Sequence, residues 1–175
     1  MATRMSSISG PCGYMFEPLR EGADFTHYRG RQHGNPSPVL AIAPSAEQPS
    51  PQTLRRLEHE YSLAAELDPV WAGKPLALAR HEGRTILLLN DPCGEYLDRI
   101  LERNHGQPLN LTHFLRVAIS LAKALGQVHR QGLTHKDIKP ANVLVDDSGN
   151  RKSVGASDAE SDTGRAYDGS VRLSS

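Results

Sequence analysis

The run Thr134–Asp146, THKDIKPANVLVD, decides how the rest of the chain is read. It sets a histidine, an aspartate, a lysine and an asparagine in one short polar loop, between an apolar helical pattern and the apolar triplet Val143–Val145. Asp137 is followed two places on by Lys139 and five places on by Asn142. That spacing can aim a proton acceptor, a cation and an amide oxygen at one anionic group. A plain polar turn, with an aspartate that only caps a neighbouring helix, would leave the Lys-Pro-x-Asn run unexplained.

Upstream of the loop the apolar residues Leu111, Leu115, Ala118, Leu121, Leu125 and Val128 recur at helical spacing. They predict a helix from about Leu111 to Arg130, ended by Gly132 in a left-handed cap. A shorter helix, LDRILERN, precedes it. On the residues HKDIKPAN and the VLVDD that follows, the chain resembles the eukaryotic-type serine/threonine protein kinases. The Lys139-Pro140 pair points to protein kinases over small-molecule phosphotransferases.

The resemblance implies an α+β, protein-kinase-like fold: a five-stranded antiparallel small lobe with a C-helix, plus an incomplete helical large lobe. It implies ATP and Mg2+ as cofactors. By the same resemblance Asp137 accepts or orients the proton of the substrate hydroxyl. Lys139 neutralises the transferring phosphoryl group, and Asn142 binds the nucleotide-bound magnesium as a metal ligand. Lys136 takes the place of the more usual arginine, keeping the charge but losing the planar fork. His135 reads as a packing and hydrogen-bonding residue of the loop. From 14 to 150 the closest resemblance is to the N-terminal kinase-like module of large bacterial serine/threonine kinase/ATPase/sensor histidine kinase proteins.

Residues 1–13 read as a disordered leader, 14–90 as the small lobe, 91–147 as hinge and partial large lobe, and 148–175 as a disordered polar tail. Strands are expected at YMFEPL from Tyr14, at FTHYRGR and, after a Gly-Asn-Pro-Ser-Pro turn, at VLAIA, 39 to 43. In the family the first turn is a glycine-rich loop that closes over phosphates. REGADFTHYRG keeps Gly22 alone, with Arg20 and Phe25 where the first and third glycines belong. Gly22 is therefore the cofactor-binding candidate of that turn, and an ordinary one-glycine hairpin is the other reading.

The family's third strand ends in a lysine that grips phosphates, and LAIA puts Ala43 at its place. No lysine occurs from Met1 to Gly73. Arg29 and Arg31 share the strand parity of His27 and are the substitutes to consider. Ser50 and Pro51 open a helix carrying Leu54, Leu57, Tyr61 and Ala64. Its EYSLAAEL run makes Glu60 the cofactor-site carboxylate by resemblance; a solvated helical carboxylate is the alternative. KPLALARHEG and RTILLLN read as the last two strands, and DPCGEYL, with Cys93, as the hinge.

The 175 residues hold 20 basic and 20 acidic side chains, a balance without the field that recruits nucleic acid or an anionic membrane. Two cysteines, Cys12 and Cys93, lack metal-ligand or disulfide-scaffold spacing. No apolar window approaches a membrane span, and a cytoplasmic chain is expected, with a protein substrate or signalling partner. A complete domain of the family needs roughly 250 residues or more. After Asn150 the composition turns to Ser, Gly and Asp, with no Asp-Phe-Gly; Asp158 has neither an apolar strand before it nor Phe-Gly after it. A truncated or frameshifted product with an exposed apolar helix face is expected. Three functions stay open at this point: a serine/threonine kinase, a pseudokinase scaffold, and an inert fragment.

Overall fold

The computed structural model describes residues 8–9, 13–32, 34–69, 71–81, 83–91, 93–105, 107–145, 166–167 and 171–172. The chain falls into two compact units. One comprises Met1–Ala64 with Pro75–Asp91, and the other Ala65–Lys74 with Pro92–Ser175.

The first unit is a six-stranded antiparallel sheet in the order β1-β2-β3-β4-β6-β5. Its strands are β1 (Ile8–Ser9), β2 (Tyr14–Glu21), β3 (Phe25–Gln32), β4 (Asn35–Pro44), β5 (Pro75–His81) and β6 (Arg84–Asn90). Strands β2 to β6 are the five expected, and β1 adds an edge pairing of Ile8 and Ser9 with Phe16 and Met15 within the segment read as a leader. The rest of that leader, apart from Gly13, lies outside the described residues.

Strand β4 also starts earlier than VLAIA. The reversal is the tight turn at Gly34, whose φ of +82° suits glycine. The register between β3 and β4 shifts between Gly30 and Gln32, and β6 pairs with β4 only from Val39. Residues 36–38 thus lie outside both ladders, which is where prolines fit in a strand.

The run VLAIA is apolar without alternation because both faces of β4 are covered. Val39, Ala41 and Ala43 join Phe16, Tyr28 and Ile86 in one cluster, while Leu40 and Ile42 pair with Leu89 and Leu87 on the opposite face, all nearly solvent-free. Gly30 is fixed by this packing, since a Cβ there would come within 2.5 Å of the Phe16 ring and 2.8 Å of Val39.

Helix α1 (Pro51–Ser62) starts where Ser50 and Pro51 predict, with the Ser50 hydroxyl accepting the Thr53 N–H at 3.1 Å. It contacts β5 and β6. Its buried residues are Leu57 and Glu60, followed by Leu63 in the next turn. Tyr61, expected on the apolar stripe, is exposed.

Arg29 forks onto Asp91. Its Nε donates to Oδ2 and its Nη2 to Oδ1, the latter at 3.3 Å. The Asp91 side chain is fully buried and that of Arg29 is 14% exposed. Asp91 N–H also donates to the Pro38 carbonyl at 3.3 Å. The pair fastens β3 and the start of β4 to the residue that follows β6.

The second unit holds β7 (Glu95–Tyr96), α2 (Leu97–Arg103), α3 (Leu111–Arg130), β8 (Thr134–His135) and β9 (Val143–Val145). Two-residue strands β10 (Ala166–Tyr167) and β11 (Val171–Arg172) run parallel to β8 and β9. Of the segment 148–175, read as a polar tail, these four residues are described, and the rest, including Asp158, lies outside the described residues.

Helix α3 is capped by Asn110, whose side chain accepts the His113 N–H at 2.9 Å. Its buried seam is Val117, Ser120, Ala124 and Val128; of the predicted stripe Val128 lies in this seam, and Ala118, Leu121 and Leu125 are half-buried. The helix is thus apolar on two faces, one covered and one open. Leu111, Phe114, Leu115 and Ile119 are exposed, as an open apolar face was expected to be.

Two stability effects follow. Asp91→Ala strands the Arg29 guanidinium and should cost about 3 kcal/mol in denaturant unfolding, much of it regained in the Asp91→Ala, Arg29→Met double variant. A loss below about 1 kcal/mol would remove the clasp from the account.

His27 is buried, and burial, assisted by the Arg20 charge, lowers its pKa from 6.5 to about 4. The unfolded chain therefore takes up a proton that the folded chain refuses, so stability falls as pH drops from 6.5 toward 4. In His27→Leu this component of the slope should vanish, measured by thermal unfolding across that range.

Candidate active site

The candidate loop is delivered by a helix terminus. At the end of α3 the Gly132 N–H donates to His129 O at 3.0 Å and the Leu133 N–H to Val128 O at 3.1 Å, with Gly132 at φ +71°. This is a Schellman ending, and its usual apolar contact fits the burial of both Val128 and Leu133. The chain then runs through β8 into the loop and leaves through a single 3-10 turn, Pro140–Asn142. Strand β9 follows, wholly buried and paired antiparallel with β7 through Tyr96↔Leu144 and Glu95↔Val145.

Between these ends Asp137 is held from three sides. Its N–H donates to His135 Nδ1 at 3.2 Å. Its carbonyl accepts Asn142 Nδ2 at 2.8 Å, and the same Nδ2 donates to Asp137 Oδ2 at 2.8 Å. Lys139 Nζ stands 2.7 Å from that Oδ2. The Asn142 N–H donates to Lys139 O at 2.8 Å, which closes the 3-10 turn. Asn142 and His135 are buried, while the Lys139 side chain is 35% exposed and that of Asp137 15%. The spacing of two and five residues thus brings all three sequence-predicted loop residues onto one carboxylate.

His135 has a part that its position alone did not reveal. A nitrogen that accepts an amide proton carries none itself, so the imidazole is neutral with its proton on Nε2. It anchors the Asp137 backbone while Asn142 and Lys139 fix the carboxylate. A carboxylate so placed can take a proton from a hydroxyl, and the adjacent ammonium can offset charge on an anion brought to it.

With Nδ2 given to Asp137, the Asn142 amide presents its oxygen, Oδ1, in another direction. An oxygen donor beside a carboxylate suits a hard cation such as magnesium, so these residues fit the metal implied by the resemblance. Among the described residues no group of three or more His, Cys, Asp or Glu side chains could hold a metal ion.

The other candidates lie in the first unit. Glu60 is buried, which removes the solvated-carboxylate reading. Gly22 sits in the β2–β3 turn with its N–H donated to Phe25 O at 2.9 Å. Ala43 is buried and belongs to the apolar cluster of Phe16, Tyr28, Val39, Ala41 and Ile86, so its place is apolar packing. Arg29 is engaged by Asp91 and Arg31 is exposed, so neither stands in for the strand lysine. Cys93 is exposed, with a left-handed φ of 55°. Sequence reasoning passed over Asp91, whose acidic side chain after an apolar strand was its only signal.

No family model matches the chain. In sequence it is 36% identical over 76 residues to ribosomal protein S6 kinase alpha-6 of Danio rerio, covering 42% of this chain and 10% of that protein. It is 36% identical over 67 residues to the serine/threonine-protein kinase PknK of Mycobacterium tuberculosis, covering 38% of this chain and 6% of that one. The chain thus spans a tenth or less of the length of these relatives. In structure it resembles the crystal structure of the Mycobacterium tuberculosis PknI kinase domain, with a TM-score of 0.59, 22% identity, and coverage of 82% of this chain and 58% of that one. The fold is therefore α+β and kinase-like. Among the described residues no helix is long and apolar enough to cross a membrane.

The His135 anchor can be tested by two substitutions. His135→Asn puts an amide oxygen near the position of Nδ1 and should keep the Asp137 amide protected from hydrogen exchange. His135→Leu should lose that protection and cost about 1–3 kcal/mol for the stranded N–H. Equal protection in both variants would show that the imidazole is only a packing group.

Proposed function

We propose that this chain, kinase-like in fold and similar in sequence to serine/threonine protein kinases, carries the phosphoryl-transfer loop of such a domain. ATP is the donor and a protein hydroxyl the acceptor. The observation that carries the reading is the convergence of Lys139 and Asn142 on the Asp137 carboxylate, at 2.7 and 2.8 Å. Asp137 orients the acceptor hydroxyl and takes its proton. Lys139, whose side chain is 35% exposed beside Asp137, offsets charge on the phosphoryl group. Asn142 holds Asp137 with its nitrogen and offers its oxygen to magnesium. Bound magnesium would neutralise phosphate charge in a transition state that depends mainly on positioning and electrostatics.

The first unit supplies less for this reaction. The lysine position is apolar at Ala43, the Gly22 amide is already bonded, and no Asp-Phe-Gly occurs in the sequence. These observations favour a second reading for the chain as it stands: a pseudokinase-type module that binds nucleotide or a signalling partner without transferring phosphate. Glu60, buried on α1, then supports the helix, and nucleotide binding through Gly22 is weak.

Thermal unfolding with ATP, with and without magnesium, paired with a phosphotransfer assay, separates the readings. Ligand at about ten times its Kd should raise Tm by roughly 3–6 °C. The magnesium-dependent part of the rise should disappear in Asn142→Ala. A rise without phosphotransfer identifies the pseudokinase, a rise with transfer lost in Asp137→Asn identifies the kinase, and no rise at all rejects both.

A further inference from the structure

The β2–β3 turn spends its backbone on the protein. Besides the Gly22 N–H bond to Phe25 O, the Gly22 carbonyl accepts the Ser45 hydroxyl at 2.9 Å and the Asp24 carbonyl accepts the Ser45 N–H at 2.8 Å. The Ser45 proton is thereby committed, so in the 3.0 Å contact between Thr26 Oγ1 and Ser45 Oγ the threonine is the donor. A second set of contacts reaches α1. Arg56 Nη1 lies 3.0 Å from Asp24 Oδ2, and its guanidinium lies 5.4 Å from the centre of the Phe25 ring, which is itself buried. A Cβ at Gly22 would stand 2.8 Å from the Phe25 carbonyl oxygen, so the turn is closed as tightly as glycine allows.

We propose that Ser45 and Arg56 form a latch that fastens the β2–β3 hairpin to the end of β4 and to α1, closing the Gly22 amide to a phosphate ligand. The physical reason is competition for one donor. An amide offers a single proton, and here it goes to a carbonyl 2.9 Å away. To turn it toward an anion, the turn must open and give up the Ser45 bonds, the Asp24 ion pair and the Arg56–Phe25 contact together. Arg56 precedes Glu60 by one helical turn on α1, so the hairpin tip and the helix carrying Glu60 move as one. The latch bears on nucleotide binding by the β2–β3 turn and rests on the proposed function for its consequence, though the contacts themselves do not.

Amide hydrogen exchange on the full chain, with Phe25→Leu as a second variant, tests the latch first without nucleotide. Arg56→Ala and Phe25→Leu should each speed exchange at Gly22, by about tenfold for Arg56→Ala, which loses both the ion pair and the ring contact. Amides of Ile86–Leu89 should keep their protection, which separates an opened latch from a lost fold. Unchanged Gly22 exchange in both variants overturns the proposal.

The second arm adds Mg-ATP at a concentration that raises Tm. Gly22 protection in the unaltered chain should not change, and new protection there would also overturn the proposal. Should Mg-ATP produce no rise in Tm, the proposed nucleotide-dependent function fails while the nucleotide-free arm still decides the latch.

Discussion

One amide group organises the second unit. Asn142 Nδ2 donates both to the backbone carbonyl and to the carboxylate of Asp137, five residues earlier, each at 2.8 Å. Buried polar groups must find partners, and here a single buried NH2 satisfies two acceptors at once and closes the loop on itself. With the loop closed, Lys139 is placed against the same carboxylate, the 3-10 turn feeds β9 into its pairing with β7, and His135 anchors the Asp137 amide. Without it the loop would be a polar segment between an apolar helix and an apolar strand, with an acidic group and no defined direction for it.

The first unit shows the reverse economy, in which groups that would face an anion are absorbed into packing. Ala43 contributes to an apolar cluster, Arg29 is consumed by Asp91, and the turn carrying Gly22 is tied to Ser45 and Arg56. A buried, forked ion pair contributes little net stability over an apolar pair but is costly to break from one side, so it enforces geometry more than it adds energy. The outcome is a small sheet whose cationic side chains are arranged for its own architecture. Chemistry and scaffold are unevenly distributed between the two units.

Much of this was legible from residue order. The Ser50-Pro51 start of α1, the Gly132 ending of α3 and the grouping of Asp137, Lys139 and Asn142 all depend on contacts within a few residues, which sequence spacing encodes directly. What depends on distant partners was not. The seam of α3 through Val117, Ser120 and Ala124 was not read, because Leu111 and Leu115 match the helical period as well as Val117 does. The burial of Glu60 and the clasp from Arg29 to Asp91, 62 residues apart, require the sheet to exist before they can be seen. Strand β1 was missed because a two-residue pairing leaves no periodic signal.

Asn142 holds Asp137 in place without any ligand. The most direct test of this hold is the exchange of the Asn142 side-chain NH2 protons with solvent, followed by NMR on the nucleotide-free chain. The account predicts two resolved, slowly exchanging protons that move together with the Asp137 amide when the loop is perturbed. Exchange at the rate of a solvated asparagine would contradict it and leave the loop without its organising bond.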